Sequence, residues 1–409
     1  MTVAEKEQSK YADGYVTTLE AADFKRRQDK ISMMLRTAVA NETDAQDVLI
    51  VEGEIIDFKI RGRWVKQSQL EVWEIEDFNI FLNKICRQET VSRKGYSNPF
   101  TPEDADYANK NERTIDNLFF SALMNDNEKS FDFSAHLNKT LRVHVYSAFT
   151  NNVSQEKAVI AIRLVPNEIP DLDDLNLPSV VADVQKQKSG IFIISGHTGA
   201  GKTTTAAAIV KAINMDMDTR RVTLTVEDPI EFVHESANGR VIQRQLKVNV
   251  LSYSDAAKDA VREGVDVVYF GELREEAEMY QALRLAEMGK LVIATMHANS
   301  VADTSDRFVG EFSPDIQESI RSRLFENLVG ILHQNLKVYR DKQFPVASTL
   351  MITSDAVRTH VRDVFTRTGV NNLLDNSSET WAVSTKDAFR ELMARGVEGL
   401  DEEAEELFS

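Results

Sequence analysis

One stretch constrains this chain more than any other. From Ile191 the sequence reads IFIISGHTGAGKTTTAAAIVKAIN: an apolar run of strand character, a turn with three glycines, then an amphipathic segment rich in alanine. Gly196, His197, Thr198, Gly199, Ala200, Gly201, Lys202 and Thr203 fit G-x-x-x-x-G-K-[ST], the phosphate-binding P-loop, with Thr204 beside it. The glycines let backbone N–H groups converge on phosphate oxygens at a helix N-terminus, where the helix dipole also favours anions. Lys202 is expected to neutralise the β- and γ-phosphates of ATP, and the Thr203 hydroxyl to coordinate Mg²⁺. The plainer alternative is a glycine-rich turn between strand and helix, and the flanks on both sides argue against it.

Such a turn belongs in a parallel α/β sheet, and the surrounding pattern agrees. Apolar runs at Ile191–Ile194, Val222–Val226, Val265–Phe270 and Leu291–Thr295 alternate with helical stretches, an order that signals a mostly parallel sheet with helices on both faces. Each of the last three runs ends in residues capable of chemistry. Val226 is followed by Glu227-Asp228-Pro229, Phe270 by Gly271-Glu272-Leu273-Arg274, and Thr295 by Met296-His297-Ala298-Asn299. Ligands of open α/β sheets bind beyond the carboxyl ends of the strands. A single acid there is commonly a helix cap or a solvated loop residue. Three such ends beside a P-loop form a convergent site. ATP hydrolysis needs a carboxylate to organise Mg²⁺ and water and a donor to sense the γ-phosphate, and Glu272, Glu227 and His297 are the right types.

The remainder divides by pattern. Residues 1–40 are polar and read as a leader with a short helix. From 41 to 165, strand-like alternation (Val48–Trp73, Thr140–Ala148, Lys157–Val165) surrounds helical spacing at Phe78–Cys86, which predicts a smaller α+β domain. The polar segment Ser92–Thr114 reads as an exposed loop or insertion. PNEIPDLDDLNLP, residues 166–178, suits a linker; residues 179–345 form the P-loop domain; and 346–409 a helical segment with an acidic tail, DEEAEELF. No internal repeat is present.

Composition narrows the class further. Lys and Arg number 48 against 65 Asp and Glu, a formal charge of −17, which disfavours a surface that tracks nucleic acid, since that needs clustered cations. Trp64, Trp73, Phe78, Phe81, Phe119 and Phe120 are therefore expected in a core and not as base-stacking platforms. Met33 and Met34 suit helix packing. The lone cysteine, Cys86, excludes an internal disulfide framework and a zinc site built from several cysteines, and its spacing suits a small buried hydrophobe. No apolar run approaches a membrane span and the first residues lack a secretory core, so a cytoplasmic location is expected.

The motifs resemble those of the secretion-superfamily ATPases, the hexameric motors of type II and type IV secretion and of type IV pili. The resemblance is nearest to the pilus-retraction ATPase and its type IVB secretion and conjugation relatives. It runs from about Thr140 to Asp363. LDDLNLP is similar to the family linker, GHTGAGKTTT to its P-loop, VEDPIEFVHES to its aspartate box, GELRE to its Walker B segment and ATMHANS to its histidine box. SDAVRTHVRD resembles, in degraded form, a C-terminal motif of the retraction branch, although Arg358 and Arg362 at i, i+4 also suit a plain exposed helix face.

The resemblance implies a RecA-like ATPase domain preceded by a smaller, PAS-like domain, with ATP and Mg²⁺ bound and Glu272, Glu227 and His297 catalytic. Glu272 would stand near Mg²⁺ and the attacking water, Glu227 would be the other candidate base, and His297 would sense the γ-phosphate. Arg142 and Arg163 match two of the arginines that approach nucleotide at subunit junctions, or are exposed strand residues; an arginine expected between them is missing from AFTNNVSQEKAV. Glu275 stands where the family usually has Asp, Ala298 where it usually has Thr, and His197 where it commonly has Pro. The missing cysteines argue against the branches with a four-cysteine zinc module.

The implied protein is a homohexamer docked on an inner-membrane platform or secretion-apparatus protein, driving pilus retraction, secretion or conjugative transfer. A nucleotide-switched structural subunit with weak hydrolysis is the alternative, motivated by Glu275 and Ala298. A nucleic-acid translocase is a further one, against which the charge counts.

Overall fold

The computed structural model describes residues 16–40, 45–60, 63–86, 112–116, 130–136, 139–149, 156–166, 168–246, 249–340, 342–376, 379–397 and 400–401. The chain divides into two compact units, Met1–Asn167 and Glu168–Ser409. Phe119, Phe120, most of the polar segment after Ser92, the acidic tail beyond Asp401 and the side chain of Cys86 lie outside the described residues.

The first unit runs β1 (Val16–Glu20), α1 (Ala21–Val39), β2 (Ala45–Val51), β3 (Asp57–Ile60), β4 (Arg63–Lys66), α2 (Ile75–Cys86), β5 (Glu112–Asp116), β6 (Ser130–His136), β7 (Lys139–Phe149) and β8 (Glu156–Pro166). Six strands form one antiparallel sheet in the order β4-β3-β2-β8-β7-β6, and β1 pairs with β5. Side chains alternate across a strand, so Leu141, Val143 and Val145 of β7 face the core while Arg142 and His144 do not. The helices cover that face with Ile31 and Met34 from α1 and Phe78 and Phe81 from α2, and Trp73 packs edge-on against Phe78.

Two expectations change here. The leader reading of residues 1–40 gives way from Val16 onward to a strand and a 19-residue helix that supplies core residues. Its charges misled because they are partnered: buried Arg27 pairs with Asp23, Glu74 and Asp77. Trp64 is 51% exposed, on an edge strand whose four residues are all exposed, so it is not core.

The second unit opens with 3₁₀ turns at Leu172–Leu175 and Ser179–Lys186. Leu172 and Leu175 pack on its core, so the segment read as a linker is bound to this unit from Glu168 on. Then follow β9 (Gly190–Ser195), α3 (Lys202–Met215), β10 (Val222–Glu227), β11 (Arg240–Gln245), α4 (Tyr253–Arg262), β12 (Val267–Phe270), α5 (Glu276–Glu287), β13 (Leu291–Met296), α6 (Val301–Gly310), α7 (Gln317–Asn327), β14 (Leu328–Tyr339), β15 (Lys342–Met351), α8 (Asp355–Arg362), α9 (Arg367–Asn376), β16 (Ala382–Val383) and α10 (Thr385–Ala394).

Eight strands form one sheet, β11-β10-β12-β13-β9-β14-β15-β16, parallel from β11 to β14 and antiparallel thereafter. All residues of β9 and β13 are buried, as befits strands covered on both faces. Ile191 and Ile193 join a core with α4 to α7, and Phe192 and Ile194 join another with α3. The sheet extends past residue 345, where a helical segment was expected. Pro345 masks β15 as a strand, but that stretch pairs on one side only: β14 runs opposite it, while β16 pairs only with Thr349 and Leu350. No described helix is long and apolar enough to cross a membrane.

Candidate nucleotide site

The strand order β10-β12-β13-β9 brings four chain segments to one edge of the sheet. Neighbouring strands lie about 4.8 Å apart, and the register pairs Val226 with Phe270, Phe270 with Ala294 and Met296 with Ser195. Glu227, Glu272, His297 and the P-loop therefore emerge side by side at carboxyl ends. The chain leaves β9 for β10, beyond β13 and β12, while β14 lies on the other side. The P-loop thus stands at a topological switch point, where open sheets bind ligands.

Local sequence leaves the start of α3 open to an anion. Helices α4, α6, α8 and α10 begin with a serine whose hydroxyl accepts a backbone N–H, and each carries an Asp in its first turn. Helix α3 follows Gly201, has no side-chain cap and has no acid in its first turn, so its free N–H groups are left for a phosphate. Gly196 has φ +149°, and a Cβ there would overlap the Gln334 carbonyl oxygen. The Lys202 ammonium donates to the carbonyls of Gly196 (2.9 Å) and His197 (3.0 Å). Burial lowers its pKa, against the pull of Glu272 and Glu231. His197, Thr198 and Gly199 are exposed, Ala200 is buried, and Thr203 and Thr204 are half-buried.

Glu272 is 21% exposed, with Oε2 accepting from Arg274 Nε (2.9 Å) and Nη2 (2.6 Å). Its Oε1 lies 2.9 Å from His297 Nε2, yet this oxygen is buried and accepts no hydrogen bond. A carboxylate oxygen that accepts no hydrogen bond, near the P-loop lysine, fits the Mg²⁺ that accompanies ATP, with the Thr203 hydroxyl as the second protein donor. The turn is rigidly held: Thr295 Oγ1 donates to the Gly271 carbonyl (2.5 Å), Leu273 N to the Thr295 carbonyl (2.8 Å) and Arg274 N to Glu278 (2.6 Å). Glu278 also accepts the backbone N–H of Glu275, which begins α5. Glu275 thus serves as a helix cap, and its extra methylene relative to Asp leaves that role intact.

His297 has its pKa lowered, first by burial and then by Lys202, with Glu272 opposing. The loop after it is tied by Asp303, which accepts from Asn299 N (2.9 Å) and Nδ2 (3.0 Å). Glu227 is placed differently. It is 4% exposed, Oε1 accepts from Thr225 Oγ1 (2.7 Å) and Gln243 Nε2 (3.3 Å), and burial pushes its pKa up to about 7. It reaches the same sheet edge but faces inward, whereas Glu272 borders a cavity of about 240 Å³ with Leu273, Arg274, His297 and Arg307.

Arg142 and Arg163 belong to the first unit, where they stand opposite each other on β7 and β8. Arg163 pairs with Asp47 at 3.0 Å and is 51% exposed. Sequence reading missed Arg307, which no local motif marks, and Gln334. The latter left a signal: a polar residue in an apolar row with Leu332 and Leu336 on β14. Arg358 is also more than a surface residue. It donates to the carbonyls of Phe325 (2.6 Å) and Leu328 (3.0 Å), closing the C-terminus of α7.

Comparison with known proteins matches residues 152–390 to the family described as type II/IV secretion system protein. The chain belongs to that family. A twitching motility protein of Neisseria gonorrhoeae is 33% identical over 285 residues, 68% of this chain and 74% of that protein. Among solved structures, the Legionella pneumophila ATPase DotB superposes with TM-score 0.69 at 20% identity, covering 95% of each chain. The pilus retraction motor PilT with bound ADP gives TM-score 0.69 at 24% identity, covering 92% of this chain and 96% of that one. These two likenesses are of fold: an N-terminal domain followed by a RecA-like ATPase domain.

Proposed function

We propose that this secretion-family ATPase is a motor subunit, hydrolysing ATP·Mg²⁺ at the P-loop edge of its second unit and driving a type IV pilus or type IVB-like secretion or conjugation machine. The observation that supports it most is the alignment of P-loop, Glu272, His297 and Glu227 on neighbouring strand ends. The relatives named for twitching motility and pilus retraction favour the pilus setting.

In this reading the P-loop and Lys202 hold the phosphates. Glu272 orients the attacking water from its fixed turn, and His297 contacts the γ-phosphate. Thr203 and Glu272 would hold Mg²⁺, which would supply charge neutralisation at the phosphates. Glu227, its pKa raised by burial to about 7, falls in the range of a general base at neutral pH, whereas Glu272 borders the cavity. Loss of γ-phosphate contacts would release the arrangement they favour. Arg142 and Arg163 would act on nucleotide at subunit junctions of a ring, which we take as a homohexamer bound peripherally at the inner membrane through a platform protein.

Steady-state turnover of the purified oligomer, with Lys202→Ala as control and its mass determined by light scattering, tests the proposal. Turnover above the control in a hexamer is expected. Turnover equal to the control leaves the nucleotide-switched structural subunit in its place, and DNA-stimulated turnover the translocase.

A further inference from the structure

We propose that Gln334 is a positioning residue of the phosphate cradle: its amide clamps the P-loop at two points and holds the curvature that phosphate binding requires. The inference rests on the nucleotide-binding part of the reading above and is independent of what the motor moves.

Strand β14 runs parallel to β9 as far as the pair His333 and Ser195. There β9 turns into the P-loop while β14 continues, and Gln334 is the first residue past that end. It is 2% exposed. Its Nε2 donates to the Ala200 carbonyl at 2.7 Å, and its Oε1 accepts from Thr205 Oγ1 at 2.9 Å. One side chain therefore joins the last turn of the loop to the first turn of α3. The backbone carbonyl of the same residue packs against Gly196, at the loop's beginning, and its Nε2 lies where a Cβ on Gly201 would stand at 3.1 Å.

The loop's other internal ties are the turn from Ala200 N to the His197 carbonyl (3.1 Å) and the Lys202 ammonium on the carbonyls of Gly196 and His197. The ammonium has three N–H donors, two of them on these carbonyls, so one is left for a phosphate oxygen. The Gln334 clamp adds a tie to the loop from outside it. The strand is anchored just before the clamp: Ser195 Oγ accepts from Thr304 Oγ1 (2.7 Å) and lies 3.3 Å from His333 Nδ1.

The chemistry at the two ends specifies an amide. Ala200 needs a donor and Thr205 an acceptor. A carboxylate would set a negative oxygen against the Ala200 carbonyl and add charge beside the phosphates. A thioether would leave two buried polar groups unpaired.

The test uses the full chain with Gln334→Glu and Gln334→Met, a fluorescent ADP for affinity, ATP turnover for KM and kcat, and thermal melts to confirm folding. At about pH 8 both variants are expected to raise the ADP Kd and the ATP KM by about tenfold to a hundredfold, with kcat at saturation reduced less. On lowering the pH to about 5.5, Gln334→Glu should recover toward wild type, because burial at this 2% exposed position raises the carboxyl above its ordinary value of about 4.3 and the protonated form again donates to Ala200 and accepts from Thr205, while Gln334→Met should not. Kd within about twofold of wild type in both variants, or a Gln334→Glu defect that pH does not relieve, overturns the proposal. A lowered melting temperature without a change in Kd assigns Gln334 to packing and also overturns it. Wild-type protein that binds ADP but does not turn over ATP sinks the motor reading, while the Kd results still decide this one.

Discussion

Replacing Glu227 by glutamine isolates the energetic consequence of a carboxylate folded inward at a strand end. In the fold its pKa is raised by burial from 4.5 to about 7. Below pH 4.5 the group is protonated in both states and the fold bears no penalty. Between 4.5 and 7 the native state holds the proton more tightly, so stability falls as pH rises, and above 7 the loss is complete. At about 1.4 kcal/mol per pH unit the full loss is about 3 kcal/mol. Glutamine preserves an oxygen to accept from Thr225 and Gln243 and has no charge to lose, while its NH₂ cannot accept the Glu231 N–H that the carboxylate accepts, a cost of about 1–3 kcal/mol at every pH. In a unit of this size each kcal/mol moves the melting temperature by about 2–4 °C, so the melting temperature of Glu227→Gln relative to wild type should rise by about 6–12 °C between pH 4.5 and pH 8. Calorimetric melts of both proteins without nucleotide, from pH 4.5 to 8.5, read the difference directly. A difference that does not change with pH, or that moves against the variant as pH rises, would refute the reasoning.

The remaining predictions concern other parts of the two units. Glu272→Gln should bind ADP normally and lose turnover by about a hundredfold or more; normal turnover would move the base assignment to Glu227. Arg163→Ala breaks an exposed pair with Asp47 and should change stability by no more than about 1 kcal/mol, yet reduce turnover of the oligomer without altering ADP affinity. Unchanged turnover would make Arg163 a local partner of Asp47. Arg358→Ala uncovers the carbonyls of Phe325 and Leu328 and should destabilise the second unit by about 2 kcal/mol, seen as an earlier melt with ADP binding retained; an unchanged melt would return Arg358 to the role of a surface residue.

The four parallel strands of the site were legible because burial on both faces makes β9, β12 and β13 predominantly apolar runs and leaves β10 alternating valine or leucine with threonine, each ended by the residues that do chemistry. Glu227, Glu272, His297 and the P-loop could thus be assigned to one sheet edge from order alone. What the sequence hid depends on pairing across the chain. Arg27 read as one of the charges of a polar leader, but it lies 3.1 Å from Asp77, which is fully buried, so α1 is bound into the unit. Pro345 suppressed β15, although only one side of the strand there needs a partner. Trp64 looked apolar enough for a core, and only its place on edge strand β4 reveals otherwise. The contrast between Glu227 and Glu272 could not be seen either, since both follow strands in the same manner and differ in which way the carboxylate turns.

Strand β14 gives the C-terminal elements a mechanical relation to the nucleotide. It is hydrogen-bonded to β9 along one side and to β15 along the other, and α10 packs on β15. A load applied to α10 would therefore pass into the flank of the phosphate cradle through two extended strands, without an intervening flexible loop. Extended backbone locked in a ladder is stiff along its length. A partner pulling at this end of the chain would act on the P-loop as a lever, and nucleotide affinity would report the pull.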